Sequence, residues 1–193
     1  MINAGYARPH APRILAVVAA LAFALTACGS DPFAFQWNDT PDTAKIYSLQ
    51  RPELNIATAF GFYDGVGFPV ESPGATGLWD AALDTRDGEL VLLPPGALGV
   101  GSQALIASIP GMTFDDVIEA PGNTDDYEED NPVPVVAGTV YVIRTGSRSG
   151  SFGSTCRYYS KMEPIDIDLA EQSLTFRYVT SPICNSRDLV PPQ

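Results

Sequence analysis

The sequence predicts an all-β fold, a single antiparallel sandwich or barrel-like sheet. Three observations lead there. Short apolar or alternating runs rich in Val, Ile, Tyr, Phe and Thr recur along the chain. The 17 Gly and 17 Pro cut it too often for long helices. Near the C-terminus two runs alternate with period two, Ile165, Ile167 and Leu169 around Asp166 and Asp168, then Leu174, Phe176 and Tyr178 around Thr175 and Arg177. That period puts each apolar row on one face of a strand.

In chain order, strands are expected at residues 44–49, 55–63, 78–83, 89–93, 104–109, 139–145, 155–162, 165–169 and 174–179. Asp84-Thr85-Arg86-Asp87-Gly88 is a strong turn between two of these runs, so 78–93 should form a hairpin. At most a short helix is expected, near 114–120. The two C-terminal apolar rows share a face if Leu169 lies opposite Leu174, or one step displaced towards Gln172. Carried outward, that register brings Cys184 opposite residues 157–159, beside Cys156. Pro164 and Pro182 break the ladder, so a bulge can absorb the offset.

The N-terminus carries an address. Arg8 and Arg13 make a basic start without acidic residues, and 14–25 is unbroken Ile, Leu, Ala, Val and Phe. Small residues Thr26 and Ala27 close the segment, which reads as a cleaved secretory signal peptide at 1–27. About a dozen apolar residues are too few to span a bilayer, which needs roughly 20. Leu25-Thr26-Ala27-Cys28 resembles the bacterial lipobox. The resemblance implies a diacylglyceryl group on the Cys28 thiol, cleavage before it and acylation of the new amine. Several acyl chains hold a protein stably to a membrane where one does not. Gly29 rather than Asp after the cysteine resembles lipoproteins sent to the outer membrane, so the expected location is the cell envelope, on its periplasmic or surface face. Residues 28–43, polar and without periodicity, read as a lipidated tether, and 44–193 as one β-domain.

Without the two signal arginines the chain holds 9 basic and 23 acidic side chains, a formal charge of −14. That balance disfavours nucleic acid and anionic lipid headgroups as partners and favours solubility. Cys156 and Cys184 are an even pair in an oxidising compartment and read as a disulfide; C-x-x-C is absent, and no histidine follows His10. A mature chain without histidine excludes Ser-His-Asp and Cys-His catalysis and the usual zinc sets, so the domain reads as non-enzymatic.

Other motifs are weighed against plainer readings. The run 125–130 could offer Asp125, Asp126, Glu128 and Asp130 to Ca²⁺, yet it lacks the spacing and central Gly of an EF-hand loop and reads first as a solvated loop. Gly96, Gly99 and Gly101 follow Pro94-Pro95 in an order unlike a phosphate loop. Residues 147–154 are a Gly/Ser-rich hairpin loop, with serines misplaced for a nucleophile elbow.

One order of features is similar to the HmuY-like haem-binding lipoproteins. Leu78-Trp79-Asp80-Ala81-Ala82 is followed by Phe114-Asp115-Asp116 with Ala120-Pro121, then Gly138-Thr139-Val140-Tyr141-Val142-Ile143-Arg144-Thr145, Tyr158-Tyr159-Ser160-Lys161-Met162 and Leu174-Thr175-Phe176-Arg177-Tyr178. The likeness implies an all-β, lipid-anchored protein capturing haem or a small ligand. That family's founding mode uses two axial histidines, which this mature chain lacks. Met112 and Met162 are the thioethers left to ligate iron. The sequence therefore supports no cofactor assignment, with haem or Ca²⁺ as alternatives. It supports a lipid-anchored domain of binding or structural type, whose partner is a small ligand or an envelope protein and whose oligomeric state is open.

Overall fold

The computed structural model describes residues 37–150 and 153–192. The signal segment, Cys28 and the first part of the expected tether lie outside the described residues.

Two five-stranded antiparallel sheets face each other. The first runs in the order β1 (Asp42–Tyr47), β12 (Ser173–Thr180), β11 (Tyr159–Asp168), β8 (Val140–Arg144) and β6 (Leu105–Ile109). The second runs β3 (Val66–Phe68), β2 (Ala59–Gly61), β4 (Ala81–Arg86), β5 (Glu89–Leu93) and β7 (Val133–Pro134). A short ribbon, β9 (Arg148–Ser149) with β10 (Thr155–Cys156), stands apart. The sheets do not close on each other, so the fold is a sandwich.

The space between the sheets is filled by Ile46, Phe60, Leu83, Leu92, Ile143 and Phe176, among others. Phe60 meets Phe62, Phe176 and Tyr178 edge to face, with ring centroids 5.0, 5.3 and 5.0 Å away, an arrangement suited to the aromatic quadrupoles. Both outer faces are covered as well. Phe114, Val117, Ala120 and Leu189 lie over Val140 and Val142 of the first sheet. Trp79 and Ala75 lie over Ala82 and Leu93 of the second. A strand buried on both sides needs apolar residues at consecutive positions. That is why β8 reads Val-Tyr-Val-Ile, buried throughout, with no alternation.

The hairpin expected at 78–93 is β4–β5. Arg86 pairs with Glu89, and Asp87 and Gly88 take φ of 52° and 86°, the double positive φ of a two-residue primed turn. The final hairpin takes the displaced register of the two anticipated. Asp168 pairs with Ser173 and Ile167 with Leu174, and the ladder shifts between Pro164 and Asp166. The bulge residue Ile165 is 57% exposed and Leu169, in the turn, 49%, so Ile167 alone of that row packs against the core. Expected strands 155–162 and 165–169 also divide differently. β11 runs through Pro164 as one strand, which is tolerated because β8 stops pairing at Met162.

Beyond the bulge Ser160 pairs with Thr180, and continuing that register carries Cys184 to Cys156. The two form a disulfide with Cα atoms 5.0 Å apart. No helix forms at 114–120. The Lys161 ammonium binds the carbonyls of Phe114 at 2.8 Å and Val117 at 3.0 Å, oxygens that a helix would use internally.

Candidate functional site

Strand register gathers several loops at one end of the sandwich. Asp42, first in β1, pairs with Tyr178. Thr180 pairs with Ser160, and the neighbouring Tyr159 pairs with Arg144, which in turn faces Leu105. The start of β1, the end of β8 and the start of β6 therefore share that end. Asp80, just before β4, ties these loops together. It is 1% exposed, and its Oδ2 accepts the Phe62 N–H at 2.9 Å while Oδ1 accepts the Gly146 N–H at 3.0 Å. A Cβ at Gly146 would lie 2.9 Å from Ser102 Oγ, so a side chain there would require that hydroxyl to turn away. Burial pushes the Asp80 carboxyl pKa up, and the two N–H groups and the Arg148 guanidinium pull it back.

Beside this anchor lies an open groove of about 510 Å³. Thr76, Gly77, Ser102, Gln103, Gly146 and Ser147 form most of its wall, with Val100 supplying an apolar side chain. A second depression of about 410 Å³ shares Val100 and Gln103 and extends to Glu129 and Asp130. The surface thus combines hydroxyls, an amide and glycine backbone with a comparable share of apolar surface.

Three arginines brace the wall. Arg148 donates to the Gly77 and Leu78 carbonyls at 3.0 and 2.9 Å and makes a long ion pair with Asp64 at 3.8 Å. Arg157 bonds the Gln103 side-chain oxygen, which also accepts from Ser147 Oγ at 3.2 Å. Arg144 reaches the Gln103 carbonyl at 3.4 Å. The disulfide secures this corner. Cys156 lies across the ribbon from Arg148, and Asn185, next to Cys184, accepts the Arg157 N–H at 2.9 Å and donates to the Thr155 carbonyl at 3.0 Å.

The structure places the sequence candidates elsewhere. Met162 has 0% exposure inside the main core, while Met112 is 42% exposed in the turn after β6. Neither lies in the groove wall. Asp125, Asp126, Glu128 and Asp130 are exposed, and among the described residues no three His, Cys, Asp or Glu are placed to hold a metal. Asp130 alone of them reaches the groove system. Gly101, read as a plain turn residue, is part of both depressions. Sequence reasoning noted Asp80 only within a resemblance and missed the arginines. A signal was present, because three of the 9 mature basic residues fall between 144 and 157.

No protein-family model matches this chain, and no curated protein matches it significantly in sequence.

Proposed function

We propose that the protein is a lipid-anchored, non-enzymatic binding domain of the bacterial envelope, and that it presents the groove at the tether end of its sandwich to a small polar ligand. The observation that carries the binding half is that groove. It is open, it mixes polar and apolar surface, and its Gly146 wall is fixed to the fold by the buried Asp80 side chain. Such fixed, concave surfaces with a few placed polar groups are where ligands bind. The lipobox order around Cys28 supports the anchor, and the absence of histidine after residue 10 supports a role without catalysis. Haem capture by thioether ligands draws no support from the groove, whose lining lacks both methionines.

Anchoring is tested by replacing the acceptor thiol. Cys28→Ala should lose metabolic palmitate label and leave the membrane fraction. A variant that still carries label and sediments with membranes would refute the lipoprotein assignment.

A further inference from the structure

Charge pairing is uneven across the molecule. Lys45, Arg51, Arg86, Arg177 and Arg187 each make an ion pair with a carboxylate. Lys161 is sealed in the fold with backbone carbonyls. Among the described residues, Arg144 and Arg157 have no carboxylate at ion-pair distance, and Arg148 has only the long contact to Asp64. The Nε–H groups of all three are buried and lack an acceptor among the described residues. In a chain with 23 acidic residues, the under-compensated guanidiniums therefore cluster behind one groove.

We propose that this groove binds a hydroxylated anion, a sugar or polyol bearing a carboxylate or phosphate. The assignment rests on the reading of the groove as the binding site. Arg144 and Arg157, converging on Gln103, supply the positive charge, and Thr76, Ser102 and Ser147 supply hydroxyls for the carrier. Neither guanidinium is part of the groove wall, so their charge acts electrostatically across it on an anion seated in the groove. The net charge of −14 does not forbid this. At physiological ionic strength the screening length is about 8 Å, so remote carboxylates are damped while the arginines behind the wall act at close range. The groove also shares its end with the start of β1, and Cys28 precedes Asp42 by about 14 residues, at most roughly 50 Å of chain. A dissolved sugar acid and a membrane headgroup are both within reach.

The test uses the intact lipoprotein in neutral-detergent micelles. It is titrated calorimetrically with glucuronate, glucose 6-phosphate and glucose, and separately with phosphatidylglycerol doped into the micelles. At least one anion should bind, more weakly as salt rises, while glucose binds at least tenfold more weakly. Arg144→Gln with Arg157→Gln should lower anion affinity about tenfold or more, as expected when two positive charges behind the wall are lost. If that double variant does not fold, Gln103→Glu places a carboxylate where both arginines converge and should abolish anion binding in a folded protein. Saturation by soluble anions, or only by the doped lipid, distinguishes the two sources, and either supports the assignment. Glucose binding as tightly as glucuronate, lost in Gln103→Glu yet indifferent to the arginine changes, overturns the anion but leaves the groove as the site. Anion binding unaffected by any of these variants lies elsewhere and overturns both. No binding by any anion overturns the assignment and leaves anchoring to its own test.

Discussion

Asp80 and Lys161 are two buried ionisable side chains, one acid and one base, and the fold treats them alike. Each is held by hydrogen bonds to backbone groups and makes no ion pair among the described residues. Asp80 accepts two N–H groups from the loops after β2 and β8, whereas Lys161 donates to two carbonyls of the segment covering the first sheet. The Lys161 ammonium also lies 4.6 Å from the centre of the Phe114 ring, with the Arg177 guanidinium 4.4 Å from the same centre. The difference is in what they hold. Asp80 fixes a wall of the groove, and Lys161 fixes a lid over core on the outer face of a sheet. Both side chains are staples for loops, and only one of them bears on the proposed function.

The largest effect is expected at Asp80. Asp80→Ala strands the N–H groups of Phe62 and Gly146, and each unsatisfied buried donor costs about 1–3 kcal/mol. Urea unfolding should show a total loss of about 3–5 kcal/mol, with ligand binding lost alongside. A loss below about 1 kcal/mol would mean that water replaces the carboxylate and that Asp80 is not a staple.

The disulfide comes next. Its sequence separation of 28 residues corresponds to about 3–4 kcal/mol in the chain-entropy model. Cys156→Ser with Cys184→Ser should lower Tm accordingly. Because the bridge adjoins Arg157 and faces Arg148, it should weaken binding more than a Lys161 substitution does. Equal binding losses from the two would erase the distinction between the groove end and the covered face.

The sandwich was legible because period-two patterns and turn residues are local. Asp87-Gly88 specifies its turn without help from the rest of the chain, and the alternation from Leu174 to Tyr178 specifies its face. The disulfide was legible because register extrapolates along a ladder. The groove was not, since its wall comes from loops near residues 76, 102 and 146 that only the tertiary fold brings together. The same holds for Lys161. A lysine on a strand reads as a solvent-facing residue until a distant segment folds over it. Met162 shows the converse, because its type suggested an iron ligand and its parity on β11 makes it core.

The smallest effect separates the two staples most cleanly, because pH should move them in opposite directions. Burial pushes the Lys161 pKa down from 10.5, helped by Arg177 and opposed by Asp115 and Asp39. Between that lowered value and 10.5 the unfolded chain binds more protons than the folded one, so this group's contribution to stability rises with pH. Lys161→Met keeps the packing volume, leaves two carbonyls unpaired and should cost about 1–3 kcal/mol at neutral pH. Lacking the titration, the variant should fall further behind the native protein as pH climbs towards 10, below the range where the buried tyrosines begin to ionise. Asp80 is raised from 3.8 by burial, so the folded chain binds more protons between 3.8 and the raised value, and its contribution grows as pH falls. Asp80→Asn cannot titrate and also turns an amide donor towards one of the two N–H groups, so it should fall further behind on acidification. Urea midpoints for both variants and the native protein, taken from pH 4 to pH 9.5, measure the two gaps. The Lys161→Met gap should widen only on the alkaline side and the Asp80→Asn gap only on the acid side. If both gaps stayed constant, or widened in the same direction, burial would not dominate either site and the pairing of the two staples would fail.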